Sequence, residues 1–185
     1  KMHYRKEIDG LRAIAVLAVM LFHAGFNWIA GGFLGVDIFF VISGYLITSL
    51  IFIEISNNRF SIIDFYERRA RRLLPALFLV MLACIPFATL TMQPDDLQNF
   101  GQSLISSSLM ANNILLYLTS GYWDIASEFK PLLHTWSLGV EEQYYIFFPL
   151  LVLLIWRLSP NRILTIFLIL TIISFIFSSW IQTID

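Results

Sequence analysis

Charge is scarce in this chain. Of its 185 residues 14% are Asp, Glu, Lys or Arg, while 58% are hydrophobic. A soluble domain carries about 25% charged residues, so the composition excludes a surface wetted on all sides and points to an integral membrane protein. Cysteine is nearly missing too: Cys84 stands alone in an apolar run, which excludes an intrachain disulfide and leaves it the part of a small packing residue. Three histidines without an HExxH or CxxC spacing give no pattern for zinc, and no metal is expected. Glycine-rich phosphate loops, repeats of fixed period and low-complexity tracts are absent as well. The net charge is −1, with the basic residues gathered in loops, which argues against a nucleic-acid partner.

What the chain has instead is long apolar runs. Residues 10–45 hold two of them joined by a glycine turn at Gly25, Gly31, Gly32 and Gly35, with Trp28 as an interfacial anchor. Each run reads as long enough to span, since a helix rising about 1.5 Å per residue needs roughly 20 apolar residues to cross about 30 Å of hydrocarbon. The first run carries Arg12 and His23, eleven positions apart. At about 100° per residue they return to nearly the same face, roughly 16 Å apart along the axis. Ionisable groups in a spanning helix cost a few kcal/mol each by insertion scales and so face a protein interior or a watery cavity, where they serve function. The expectation is a cation near one membrane face and an imidazole deep in the span.

The basic flank before this run reads as cytoplasmic, and His3 within it as solvated. A secretory signal peptide over residues 1–30 is disfavoured: an h-region is shorter, would not hold Arg12 and His23, and no small-x-small cleavage site is evident. The second run, 34–53, has Asp37 near its start, as a helix-dipole partner or a chemical group, and the small pair Ser43 and Gly44 for close helix contact. Arg68, Arg69, Arg71 and Arg72 precede the third run, 73–92. They mark a cytoplasmic side and, as i,i+3 pairs 68/71 and 69/72, offer guanidinium forks suited to phosphate. Residues 104–118, short and interrupted by serines and asparagines, are expected to form a re-entrant or amphipathic segment, with a sixth span as the alternative. Farther on, His134, Ser137 and Glu141 fall at i, i+3 and i+7 at the start of a span, with Glu141 and Glu142 near its dipole and Pro149 expected to kink it. The last run, 163–180, has no ionisable group and reads as scaffold. The fold class is thus all-α, a polytopic transmembrane helix bundle of about five spans plus one re-entrant or amphipathic segment, with the amino terminus cytoplasmic.

A histidine suits removal of a hydroxyl proton near neutral pH, because its unperturbed pKa of about 6.5 leaves the neutral base abundant. Arg12 near the inner surface would hold a phosphorylated donor, and His23 would reach acceptor chemistry farther along the helix. Competing readings remain a proton-coupled transporter or flippase of a polar metabolite or lipid-linked sugar, in which His23 relays protons, and a non-catalytic scaffold with a packing histidine.

The R-x10-H pair Arg12/His23, with GGFLGVDIFFVISGYLI, FYERRARRLLPAL and HTWSLGVEEQYYIFFPL, resembles the acyltransferase 3 family of integral membrane O-acyltransferases from about Tyr4 to Pro149. That resemblance implies transfer of an acyl group, commonly acetyl from acetyl-CoA, to hydroxyls of an extracytoplasmic carbohydrate such as lipopolysaccharide, peptidoglycan or exopolysaccharide, or of macrolide-like small molecules. It implies a multi-pass protein of a bacterial cytoplasmic membrane. His23 matches the family's essential histidine and Arg12 its paired cation. Arg68, Arg69, Arg71 and Arg72 match the cytoplasmic arginine motif, whose natural ligand is the phosphates of acyl-CoA. Ser137 with Glu141 matches an S-x-x-x-E element. In the expected mechanism Arg12, Arg69 and Arg72 hold the donor and His23 is general base, while Glu141 or Glu142 orients the imidazole or the acceptor. His134 lies on the same face. A covalent acyl-histidine relay is a second version. Family domains have more spanning helices, so residues 1–185 are expected to be the amino-terminal part of one membrane domain.

Overall fold

The computed structural model describes residues 5–119, 130–181 and 183; His3 lies outside them. Among the described residues there are seven α-helices and no strand: α1 (Lys6–His23), α2 (Gly35–Ser56), α3 (Ile62–Thr91), α4 (Pro94–Ser108), α5 (Asn112–Thr119), α6 (Thr135–Ile155) and α7 (Pro160–Ile181). Four segments are long and apolar enough to cross a membrane, namely Gly32–Ser56, Ile62–Thr91, Thr135–Ile155 and Pro160–Ile181.

The first helix is not among these four. Its 18 residues span about 27 Å at 1.5 Å each, close to a hydrocarbon core, but Lys6, Glu7, Asp9 and Arg12 crowd its start. The apolar sequence continues past His23 while the helix does not. Gly25 sits at φ +81°, Gly25 N donates to the Phe22 carbonyl (3.1 Å) and Phe26 N to the Leu21 carbonyl (3.2 Å). These are the two bonds of a Schellman cap, which glycine closes without a Cβ penalty. His23 is therefore the last residue of its helix, not an interior one.

The same cap recurs twice with non-glycine residues in the left-handed position. Asn58 (φ 53°) ends α2, and Met110 (φ 54°) follows α4, where Ala111 N donates to the Ser106 carbonyl at 2.8 Å. The expected segment 104–118 is thus split between α4, opened by Pro94 in its first turn as its missing N–H permits, and α5. The third helix begins eleven residues before the apolar run at Leu73, because Ser61 caps it by accepting a hydrogen bond from Asp64 N (3.3 Å). All four arginines consequently ride on α3.

Residues 1–145 and 146–185 form two compact units. In the first, Leu77, Met81 and Ala88 on one face of α3 bury against Phe100 of α4 and Leu132, with Cys84 partly buried beside them; the spacing of 4, 7 and 11 is helical. Helices α1 and α2 pack through small residues. Ala15 is fully buried, and a Cβ on Gly35 would come 2.5 Å from the Ala15 carbonyl oxygen, while one on Gly32 would strike that of Ala18. Close backbone approach of this kind is how membrane helices associate. Gly44, the expected contact glycine, has nothing within 4 Å of a built Cβ. In the second unit Phe148 and Phe167 stack with centroids 6.0 Å apart. Pro149 does not interrupt α6, which stays helical through Ile155.

Candidate active site

Among the clefts of the first unit, two are reached by α1. One, of about 420 Å³, is lined by Val19, Met20, His23, Phe33, Val36, Asp37, His134, Trp136 and Ser137. The other, of about 240 Å³, is lined by Arg12, Ser43, Arg69, Arg72, Glu141, Glu142 and Tyr145 among others. The sequence spacing that puts Arg12 and His23 on one stripe of α1 thus delivers each to a cleft, against the two ends of one stretch of α6: Ser137 lines the first cleft and the next residue, Leu138, the second.

In the histidine cleft the His23 Nδ1 lies 2.9 Å from the Val19 carbonyl oxygen. A carbonyl only accepts, so Nδ1 carries the hydrogen and, in the neutral ring, Nε2 is left as the basic nitrogen. The ring nearest His23 across the cleft belongs to His134, with centroids 4.7 Å apart and planes at 89°. His134 occupies the turn just before α6, and its pKa is lowered, first by desolvation and then by the charge of His23. Asp37, in the first turn of α2 where a carboxylate suits the helix dipole, lines the same cleft.

The expected role of Glu141 or Glu142 beside the imidazole is not met. Helix α6 starts at Thr135, so both glutamates sit in its second turn, beyond the strongest part of the dipole, and they face the arginines. Glu142, buried, accepts from Arg69 at 2.6 and 3.4 Å. Glu141 accepts from the Tyr145 hydroxyl, one helical turn on. The Arg69 guanidinium also lies 3.3 Å above the Tyr145 ring, a cation–π contact. Ser137 is not an N-cap: its hydroxyl donates to the His134 carbonyl at 3.1 Å.

The arginine cluster divides. Arg68 is paired with Glu54 (3.1 Å) and Arg71 with Glu67 (2.6 Å), and neither lines the cleft. Arg69 is committed to Glu142. Arg12 and Arg72 line the cleft with no ion pair or hydrogen bond among the described residues. With three guanidiniums (Arg12, Arg69, Arg72) against two carboxylates (Glu141, Glu142), the cavity lining is net positive, a setting that favours an anion. Among the described residues no group of three metal-ligating side chains occurs.

Comparison with known proteins decides the family: the profile of the acyltransferase 3 family, described as an acyltransferase domain, matches residues 5–184. The chain belongs to that family. Similar proteins include the peptidoglycan O-acetyltransferase OatA of Listeria monocytogenes, 39% identical over 175 residues covering 92% of this chain and 28% of that protein. The O-acetyltransferase OatA of Staphylococcus aureus is 38% identical over the same shares. A further S. aureus protein, provisionally named an O-acetyltransferase, is 42% identical over 160 residues, 82% of this chain and 25% of its own length. This acyltransferase 3 chain therefore spans about a quarter of the length of the curated relatives it matches. No solved structure matches it.

Sequence reasoning named His23 and His134 without seeing that they meet, and it passed over Tyr145, Asn112, Asn113 and Gln143. The signal for Tyr145 was its i,i+4 spacing from Glu141, the distance at which helical side chains touch. The asparagines carried no signal beyond being polar in an apolar stretch.

Proposed function

We propose that this acyltransferase 3 chain carries the donor site and the general base of a membrane O-acetyltransferase. The donor is acyl-CoA, most simply acetyl-CoA, held on the cytoplasmic side, and the acceptor is a hydroxyl of an extracytoplasmic carbohydrate of the peptidoglycan class. The observation that carries this reading is the pairing on one helix of an unpartnered guanidinium, Arg12, with an imidazole whose Nε2 is basic, His23, each opening on its own cleft.

Arg12 and Arg72 bind the coenzyme's phosphates, with Arg69 held in place by Glu142 and Tyr145 as a fixed third wall. His23 Nε2 takes the proton of the acceptor hydroxyl as its oxygen attacks the acyl carbonyl carbon. The oxygen–acyl bond forms, the acyl–sulfur bond breaks, and the coenzyme leaves as a thiolate that regains the proton. The relatives' printed names supply the acetyl group and, for the Listeria protein, the peptidoglycan acceptor.

Turnover of acetyl-CoA by the intact protein in membrane vesicles tests this. His23→Ala is expected to lower kcat by about a hundredfold or more. Arg72→Ala is expected to raise KM for acetyl-CoA roughly tenfold, the loss of one charge-assisted contact, whereas Arg71→Ala leaves it unchanged. Equal effects of Arg71 and Arg72, or undiminished kcat without His23, would remove the proposal.

A further inference from the structure

Asn112 and Asn113 open α5 and line neither cleft. Asn112 is 1% exposed, and a buried amide is costly unless its polar atoms are paired. All are. Its Nδ2 donates to the Leu132 carbonyl (3.0 Å) and to Thr135 Oγ1 (2.7 Å), and its Oδ1 accepts from Ser106 Oγ (2.8 Å). Thr135 gives its one hydrogen to the Leu132 carbonyl (2.8 Å), so the 2.9 Å contact with Ser107 Oγ has serine as donor. The hub is complete, with each donor matched to an acceptor.

His134 lies between Leu132 and Thr135. The amide of Asn112 thus grips the backbone just before the residue whose ring meets His23 and the side chain just after it. The backbone bonds within this turn, Leu133 N to the Lys130 carbonyl and Trp136 N to the Leu133 carbonyl, are local, and local bonds do not set where a turn stands relative to α1. Asn113 makes a parallel tie farther along. It donates to Gln143 Oε1 (3.2 Å), and Gln143 Nε2 donates to Asn113 Oδ1 (2.9 Å) and to the Met110 carbonyl (3.0 Å). Between the ties, Gly139 lets Asn113 approach, since a Cβ there would come 2.7 Å from Oδ1. Thr135, Gly139 and Gln143 recur every fourth residue, one stripe of α6, and at about 100° per residue Ser137 and Glu141 project from the other side, toward the clefts.

We propose that Asn112 is a positioning residue for the imidazole pair: its amide sets the height and rotation of the start of α6 so that His134 meets His23. The catalytic consequence rests on His23 being the general base, while the placement stands apart from it. Asparagine is required because only an amide supplies two donors and an acceptor from one short side chain. Aspartate would turn a carboxylate oxygen toward the Leu132 carbonyl.

Two measurements on the intact protein in membranes decide the matter. In a Cys84→Ala background carrying His23→Cys and His134→Cys, a short bis-methanethiosulfonate reagent is expected to bridge the two cysteines quickly, and Asn112→Ala or Asn112→Asp is expected to slow that reaction about tenfold. In the histidine-bearing protein, Asn112→Ala is expected to lower kcat about tenfold or more, as small displacements of catalytic groups do, with KM for acetyl-CoA unchanged. Unchanged bridging, or a rate loss matched by an equal loss of folded protein, overturns the proposal. If Asn112→Ala does not accumulate, Thr135→Val carries the same test, removing the shared hydroxyl while keeping the side chain's shape. His23→Ala run in parallel separates the two ideas: if it keeps its rate the base assignment falls, and the bridging result still decides the role of Asn112.

Discussion

His23 is a histidine whose tautomer is set by its own helix. Residing in the last turn of α1, it reaches back one turn to the Val19 carbonyl, and that bond leaves Nε2 basic. Burial and His23 lower the His134 pKa, so the folded chain binds fewer protons there than the unfolded chain. The stability so contributed is present above about pH 6.5, the unfolded value, and is lost as pH falls below it. Detergent-solubilised protein is therefore expected to unfold at a lower temperature at pH 5 than at pH 7. His134→Gln is expected to lose less over that interval, and equal losses in the two proteins would assign the acid sensitivity to other groups, Asp37 of the same cleft among them. At this scale the sequence singled out His23, His134, Arg12, Arg69 and Arg72, which line the clefts, but not their partners. Spacing within a helix reports which side chains share a face, whereas Glu142 meets Arg69 across 73 positions of chain, a separation no local pattern encodes.

At the scale of elements, glycines that look alike in the sequence do different things. Gly32 and Gly35 bring α2 against the backbone of α1, while Gly44 faces open space. Gly35→Ala is expected to cost about 1–3 kcal/mol through overpacking. Gly44→Ala is expected to be neutral or to stabilise by up to about 1 kcal/mol, because alanine is the better helix former. Thermal unfolding of the two variants checks this, and similar midpoints would mean that the α1–α2 contact does not depend on the missing side chain. The existence of the long helices was legible from hydropathy, and the caps explain where their limits were misjudged. Apolarity says that a stretch prefers lipid or a core, but the end of α1 is fixed by Gly25 in the left-handed region, the start of α3 by the Ser61 hydroxyl, and the break before α5 by Met110. Each boundary rests on one residue's dihedral or hydrogen bond against a background of similar hydropathy.

For the molecule in its membrane, the charge distribution favours residues 6 and 71 on the cytoplasmic side, with the turn around residue 31 on the other. Single cysteines at those three positions in a Cys84→Ala protein, probed with a membrane-impermeant maleimide on intact cells, are expected to label at 31 alone. Labelling of 6 and 31 together would mean that α1 does not cross, which would part the donor and acceptor sides from the two ends of that helix.

Composition and period alone determined that this chain is helical and built for a bilayer, and that Arg12 and His23 share one stripe of α1, because hydrophobicity and the helical repeat are written residue by residue. The tertiary structure decided which charges remain free. Arg68, Arg69 and Arg71 each meet a carboxylate, Arg12 and Arg72 have no ion pair among the described residues, and a buried asparagine bonds the residues that flank His134, whose ring meets His23. Those outcomes depend on which helices come within about 3 Å of one another, a distance that only packing sets.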